Sequence, residues 1–509
     1  MDYKIKKMRK PKILAVSASL RNARWGKGID NLIDKIKKIP NKEELMNFIF
    51  IEARVHFEQF IDAGRKDGVP FDELYKNLRK LTGKKGLCNS EIGMVVALWS
   101  AYQEGCDIEY VPLSSHFGPT TRTNKLAELK QQLQDSDALL LCTPVYFGDR
   151  SSVASDFIEF IRKDEDILSH LSGKPMAGIS VGAKRNGGQE TTLVYQLLEM
   201  TQMGMLGLGN NTETSSQYGG TIMAGDIGTA ADDEYGIKSS LGTGKRLARI
   251  ARIQNYPKKI KLKGKLKVQF WILQDSKDYA LNKIKELIEL SSEDIVPEII
   301  NVTDGDIGRC IACDICPTHV GKDEEYRCII KRKKDKFVHI HEQFLDNDII
   351  VPVTHSPKDR KLLRTAYQRF IERTRYLRRG DYLFSDVSVM PIVFEEIGSS
   401  ENLGIRLLTS LIRHQTIMHA PNIGYIHNNN VLNFDEMKEK WLRGIHESKG
   451  LTISRLNQLK NVDSLSYNPV GYILSVAADN ECSVEERRKI LQTDREIRNL
   501  KNVKNRLIP

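Results

Sequence analysis

Long apolar runs are missing from this chain of 509 residues. The longest, such as Ala138 to Val145 and Ile349 to Val353, fall far short of the roughly 20 residues that span a bilayer. No membrane span is expected. A secretory leader pattern is lacking too, because the basic stretch Met1 to Lys12 runs into strand-like Ile13 to Val16 and not into an apolar segment with a cleavage site. A cytoplasmic location is therefore expected. Cysteine is sparse, with eight in the whole chain, which excludes a disulfide scaffold. Placement matters more than number: Cys88, Cys106, Cys142 and Cys482 are scattered, whereas Cys310, Cys313, Cys316 and Cys328 are clustered.

Acidic residues are outnumbered, leaving a net charge of +11. Part of the surplus lies in the last stretch, where Arg487, Arg488, Lys489, Arg495 and Arg498 alternate with Glu485, Glu486, Asp494 and Glu496. That alternation reads as a solvated helix, and no nucleic-acid motif accompanies it. Attraction of anionic cofactors is the ordinary use left for the charge. A hydrophobic content of 40% fits globular domains, and the length suggests roughly two to four of them, with two the simplest division.

Strand and helix patterns take turns along the chain. The strand Lys12 to Val16 runs into a polar turn, and a charged helical stretch follows from about Asn22 to Lys85. Alternation resumes with a helix from Ser90 to about Glu104, a strand from Ile108 to Leu113, a helix near Lys125 to Leu133, and strands at Ala138 to Val145, Met176 to Val181 and Met205 to Leu208. A helix from Tyr235 to Ala251 closes this series. Such order predicts a parallel sheet with helices on both faces. After a lysine-rich linker at Pro257 to Lys265, a second series follows. It has strands at Leu266 to Leu273, Glu298 to Val302 and Asp348 to Val353, with helices at Tyr279 to Leu290, Val338 to Leu345 and Lys361 to Tyr376. The repeated order suggests a divergent duplication.

Ligands of doubly wound sheets sit beyond the carboxyl ends of the strands, so the loops there hold the candidate residues. The first is Ser17-Ala-Ser19-Leu-Arg21, whose hydroxyls, backbone N–H groups and guanidinium suit a phosphate. The second is Thr143-Pro144-Val145-Tyr146-Phe147-Gly148, where Gly148 permits close approach to a flat ring. The third follows the next strand as Gly182-Ala-Lys-Arg-Asn-Gly187-Gly188-Gln189-Glu-Thr-Thr192, with donors and acceptors for a heterocycle.

These motifs in this order resemble the NADPH-dependent FMN reductase superfamily of flavodoxin-like fold, especially its iron-sulfur flavoprotein branch, over most of residues 11–254. The closing Asp233-Glu-Tyr-Gly236 to Leu241-Gly-x-Gly-Lys245-Arg246 stretch belongs to the same pattern. By that resemblance Ser17, Ser19, Arg21, Asn89 and Ser90 hold the phosphate of FMN. Pro144, Val145, Tyr146, Phe147 and Gly148 line the isoalloxazine, and Gly187, Gly188 and Gln189 meet its polar edge. Family members complete the phosphate loop a few residues after the arginine; here the matching piece, Gly86-Leu-Cys-Asn89-Ser90-Glu91, comes more than sixty residues later. The loop is split by an insertion, read as a lid over the cofactor or, alternatively, a dimerisation arm.

The second series resembles the family less well. Gln274-Asp-Ser-Lys-Asp278 and Val353-Thr-His-Ser-Pro-Lys358 stand where flavin loops belong, and acidic residues there would repel a phosphate. It keeps Cys310-Ile-Ala-Cys313-Asp-Ile-Cys316, with Cys328 following after a gap of eleven residues. CxxCxxC thiolates and a fourth cysteine can ligate a [4Fe-4S] cluster; zinc and unliganded thiols remain alternatives.

The expected architecture is α/β. Residues 11–255 form an FMN-binding flavodoxin-like domain with an insertion at about 22–85, and 265–432 form a degenerate flavodoxin-like domain. Residues 433–509 form a helical extension. The expected activity is NAD(P)H oxidation through FMN, passing electrons to a small molecule or a redox protein, in a homo-oligomer without nucleic-acid or membrane partners. A non-enzymatic electron carrier and an assembly scaffold are the competing classes. No general base is visible, and hydride transfer requires none; His116 reads as a surface histidine.

Overall fold

The computed structural model describes residues 9–21, 30–65, 68–80, 86–117, 123–211, 214–255, 260–313, 328–381, 383–459, 501 and 505–508. The chain divides into two compact units, Met1–Asn255 and Tyr256–Pro509. No helix among the described residues is long and apolar enough to cross a membrane.

The first unit opens with β1 (Lys12–Ser17). The insertion then contributes α1 (Asp30–Lys38), α2 (Lys42–Phe60) and α3 (Phe71–Lys80). The alternating series follows as α4 (Asn89–Gln103), β2 (Asp107–Pro112), α5 (Thr123–Asp135), β3 (Ala138–Pro144), α6 (Ser152–Arg162), α7 (Glu165–Leu171), β4 (Pro175–Gly182), α8 (Gln189–Gln202), β5 (Leu206–Gly207), β6 (Gly220–Met223) and α9 (Glu234–Gln254). β1 pairs in parallel with β2 on one side and β3 on the other, and β3 pairs with β4. The last position is shared, since β5 pairs with the start of β4 and β6 with its end. The order 2-1-3-4-5 of parallel strands is that of a flavodoxin-like doubly wound sheet. β3 reads as an unbroken apolar run because both of its faces are covered.

α4 is apolar on all sides, and every residue from Ser90 through Ala101 is buried. The sheet lies on one side of it; α9 and the insertion cover the rest. A side chain at Gly244 of α9 would strike the Ala97 carbonyl oxygen at 2.1 Å, so glycine there lets the two helices approach. From the insertion, Leu45, Ile49 and Ala53 of α2 are buried, and the Trp99 indole N–H donates to the Ile39 carbonyl at 3.0 Å.

The second unit contains β7 (Lys261–Leu262), β8 (Leu266–Ser276), α10 (Tyr279–Leu290), β9 (Ile295–Asn301), α11 (Lys336–His339), β10 (Ile349–Ser356), β11 (Leu363–Thr365), α12 (Tyr367–Arg373) and α13 (Arg375–Asp381). These are followed by β12 (Ser388–Val389), β13 (Ile392–Glu396), α14 (Leu403–Leu411), β14 (Ile417–Met418), β15 (Asn422–His427), β16 (Asn430–Val431), α15 (Phe434–Leu459) and β17 (Leu507–Ile508). β8 pairs in parallel with β9 and β10, β10 with β13, and β13 with β15. The strand order β9-β8-β10-β13-β15 is again 2-1-3-4-5. Met437, Trp441 and Ile445 of α15 lie in the same core as Phe270, Ile272 and Phe394.

Two expected helices of this unit take other forms. The stretch 361–376 splits into β11, α12 and α13, because β8 runs on to Ser276 and offers an edge with which Leu363, Arg364 and Thr365 pair antiparallel. The stretch 338–345 is the end of short α11 followed by a 3₁₀ turn over Glu342–Leu345. There Phe337 and Phe344 turn into an aromatic cluster around Trp271 and Phe370.

Candidate functional site

Parallel register brings the three candidate loops of the first unit together. Ser17 ends β1 opposite Cys142 of β3, and Pro144 ends β3 opposite Val181 of β4. The loops are then tied directly. The Ala18 N–H donates to the Cys142 carbonyl at 2.8 Å, and the Ser151 hydroxyl donates to the Ala18 carbonyl at 2.7 Å. The Val145 N–H reaches the Val181 carbonyl at 2.9 Å.

The split loop is reunited in space. Cys88 precedes α4 and is hydrogen-bonded to the side chain of Ser19; burial first, then the nearby Glu91 carboxylate, pushes its thiol well above the ordinary range. Glu91 reaches back to the Cys88 N–H at 3.0 Å, and the Tyr110 hydroxyl donates to its other oxygen at 2.6 Å. The backbone N–H groups of Asn89 and Ser90 stand in the first turn of α4, where no carbonyl of the helix can take them. The Asn89 side chain is engaged elsewhere: it donates to the Asp226 carbonyl at 2.8 Å and accepts from the Ala230 N–H at 3.3 Å, holding the 226–230 turn beside the loop. Ser17 and Ser19 are buried and Arg21 is exposed. Among the described residues no carboxylate pairs with the Arg21 guanidinium, which lies over the ring of Phe60 on α2 at 5.6 Å.

In the second loop Phe147 has φ 52° and is fully exposed, Gly148 has φ 80°, and Tyr146 is half exposed. A bulky residue at positive φ is an outlier, held here by reciprocal hydrogen bonds between the backbones of Tyr146 and Asp149 at 2.7 and 3.0 Å. Gly188 of the third loop, at φ 102°, is packed so closely that a side chain on it would meet the Cα of Gly148 at 2.7 Å and Val145 at 3.2 Å. Gln189 turns inward. Its amide donates to the carbonyls of Lys184 at 2.7 Å and Ile222 at 3.1 Å and accepts from the Gly187 N–H at 2.8 Å. It shapes the loop from behind, where the sequence suggested contact with a ring edge. His116, expected on the surface, is buried beside the Pro112 carbonyl at 3.2 Å and the Ser115 hydroxyl at 3.0 Å.

Residues 90–217 match the family of NADPH-dependent FMN reductase. This match lies within the first unit, which is similar there to the NADPH-dependent FMN reductase superfamily. The family match and the relatives support an oxidoreductase of flavin and nicotinamide chemistry. Among relatives, an iron-sulfur flavoprotein of Methanocaldococcus jannaschii is 27% identical over 170 residues, 31% of this chain and 87% of that protein. An NAD(P)H dehydrogenase (quinone) of Solidesulfovibrio magneticus is 26% identical over 133 residues, 24% of this chain and 65% of that protein. A WrbA-like flavodoxin structure from Agrobacterium tumefaciens, 19% identical, covers 31% of this chain and 88% of its own, with a TM-score of 0.24.

The corresponding loops of the second unit are filled by their own side chains. Asp275 accepts from the N–H groups of Ser276 at 2.8 Å, Ala280 at 3.0 Å and Leu281 at 3.0 Å, at the start of α10. Gln274 and Ser356 donate to Glu401, each at 2.8 Å, and Arg360 pairs with the same carboxylate at 2.8 Å.

Of the cysteine cluster, Cys310, Cys313 and Cys328 are described, and Cys316 lies outside the described residues. Among the described residues no three potential ligands converge on one metal position. The two cysteine-bearing segments are nevertheless clamped side by side. Asp306 and Asp335 form a parallel bridge, and Arg373, fully buried, pairs with Asp335 at 2.5 Å while donating to the Gly308 carbonyl at 3.0 Å and the Ile330 carbonyl at 3.4 Å.

Proposed function

We propose that the first unit binds FMN and oxidises NAD(P)H, with electrons passing to a small-molecule acceptor of the quinone class. The observation that carries this reading is the convergence of three ligand-type loops on the carboxyl ends of the adjacent parallel strands β1, β3 and β4. The residues fit the cofactor: among the described residues Arg21 has no carboxylate partner, and the absence of a side chain at Gly188 lets the third loop approach Gly148 and Val145 of the second. Bound there, FMN supplies two-electron transfer between a nicotinamide and an acceptor. Ser17, Ser19, Arg21 and the first-turn amides at Asn89 and Ser90 hold its phosphate. Pro144, Val145, Tyr146, Phe147 and Gly148 form the wall along the ring, and Gly187 and Gly188, held in shape by Gln189, present backbone to its polar edge. The quinone class comes from the names of relatives in Solidesulfovibrio magneticus and Archaeoglobus fulgidus.

The second unit repeats the strand order, supporting a tandem duplication whose later copy has given up the flavin. Its Cys310, Cys313, Cys316 and Cys328 are assigned to metal, with [4Fe-4S] favoured over zinc by the CxxCxxC spacing. FMN titration of the whole chain and of Arg21→Ala tests the reading: the variant should bind FMN more weakly by about 1.5 to 3 kcal/mol, the scale of a hydrogen bond to a charged group. Equal affinity would refute it.

A further inference from the structure

The insertion does more than cover α4. Its helix α2 lays a buried stripe, Leu45, Ile49, Ala53 and His56, along the first unit, with a spacing of three to four residues that keeps all four on one face. His56 is the polar member of that stripe. It is 5% exposed, and its Nε2 atom is buried with no hydrogen-bond partner among the described residues. A buried, unpaired ring nitrogen costs free energy unless something binds it.

The surroundings of His56 are those of the phosphate loop. Its ring lies 5.2 Å from that of Phe60, over which the Arg21 guanidinium sits at 5.6 Å. On the other side a side chain at Gly86, which opens the second half of the split loop, would meet the His56 backbone nitrogen at 2.9 Å. The Leu87 N–H donates to the Glu52 carbonyl of α2 at 3.0 Å. α2 is therefore fixed to both halves of the loop. Burial, and after it the Arg21 guanidinium, lowers the imidazole pKa to about 4, so at neutral pH the ring is neutral, with one N–H to donate.

We propose that His56, carried in by the insertion, is a ligand of the FMN phosphate, donating from its ring to a phosphate oxygen beside Arg21. The inference rests on the FMN reading above and deepens it, because neither the family motifs nor the three loops supply this residue. Phe60 is the positioning residue of the arrangement. Its ring face orients the guanidinium and sets the imidazole beside it. The insertion that separates the two halves of the phosphate loop then returns a donor to it.

Comparison of FMN with riboflavin, which lacks the phosphate, tests this on the full chain by flavin fluorescence titration. His56→Leu should weaken FMN binding about ten- to a hundredfold, the scale of one hydrogen bond to a charged group, and leave riboflavin binding within about twofold. His56→Gln, which keeps a donor, should recover part of the difference. In wild-type protein carrying ¹⁵N-histidine, FMN should shift the His56 ring nitrogen resonances and riboflavin should not; this measurement stands even if a variant fails to fold. Unchanged FMN affinity in His56→Leu, equal losses for both flavins, or ring resonances indifferent to FMN would each overturn the proposal. If wild-type protein binds FMN no better than riboflavin, the phosphate-site reading itself fails. If it discriminates and His56→Leu discriminates equally, only the role of His56 falls.

Discussion

Asp275 Oδ1 lies 3.5 Å from Nδ1 of His355, at the carboxyl ends of the neighbouring strands β8 and β10. That carboxylate occupies the start of α10, where the free N–H groups and helix dipole would otherwise welcome an anion. Burial pushes the Asp275 carboxyl up, but His355 and the amides of Ala280, Leu281 and Ser276 outweigh it, holding its pKa below the ordinary range. Its stabilising contribution is therefore full above the ordinary carboxylate pKa and is lost as pH falls through the depressed folded value. Asp275→Ala should destabilise the second unit by about 1 to 2 kcal/mol at pH 7, as loss of a helix cap does, and by less at pH 3. Urea unfolding at the two pH values measures it. An equal effect at both would contradict the carboxylate's role.

Gly188 leaves no room for a methyl group against Gly148 and sits at φ 102°. Gly188→Ala should cost about 1 to 3 kcal/mol in strain and, by displacing the ring-side loop, weaken FMN and riboflavin alike. That pattern distinguishes it from Arg21→Ala, which should penalise FMN selectively. Titration of both flavins on both variants checks the contrast.

Arg373 and Asp335 form a fully buried ion pair between the cysteine-bearing segments. Removing one partner strands the other charge, so Arg373→Met should destabilise the second unit by about 3 to 5 kcal/mol. It should also lower the iron or zinc content of anaerobically purified protein, as Cys313→Ser should, with flavin retained in both. Metal analysis beside an absorption spectrum decides it, and full metal retention in Cys313→Ser would remove the cysteine assignment.

His414 is fully buried, with Nε2 3.1 Å from the Thr374 hydroxyl. Burial, then Arg378 and Arg413, lowers its pKa to about 3. Between that value and the ordinary one near 6.5 the unfolded chain takes up a proton that the folded chain refuses, so stability falls as pH falls through this window. His414→Leu should flatten that part of the pH profile of the urea midpoint. An unchanged profile would place the acid sensitivity elsewhere.

The alternation of strands and helices was legible in the sequence because parallel strands are apolar throughout and their loops carry the punctuation, as at Ala138 to Gly148. Side-chain commitments over long separations were not. Nothing local tells that Asn89 is spent on the Asp226 carbonyl, or that Gln189 closes on Ile222. The repulsion expected from Asp275 has a concrete form, an internal carboxylate on the helix start, that depends on His355 arriving from another strand. β11 was hidden because an edge pairing overrides helix propensity. One signal was present and unused: His56 continues the stripe Leu45, Ile49, Ala53, a polar residue in an apolar register.

The insertion invites a test of whether it is a removable lid. A lid that opens should be dispensable for folding, and replacing Asn22 to Lys85 by a short Gly/Ser linker should then leave the thermal midpoint of the first unit in place. The packing argues otherwise. α4 is apolar all round, and α1 and α2 bury Leu32, Ile36, Leu45, Ile49 and Ala53 in the first unit. Deletion would expose the α4 surface beneath several side chains, each worth about 1.5 to 3 kcal/mol of burial, against a typical total stability of about 5 to 15 kcal/mol. The shortened chain should therefore lose cooperative unfolding of the first unit. The milder Ile49→Ala should cost about 2 to 5 kcal/mol through the cavity it leaves. On the outer side of the same helix Phe50 and Ile51 are each 52% exposed, so Phe50→Gln with Ile51→Gln should change stability by no more than about 0.5 kcal/mol. Calorimetry of the three proteins separates the cases. A shortened chain that unfolds cooperatively at the wild-type midpoint, with faster flavin oxidation by oxygen, would make the insertion a lid after all.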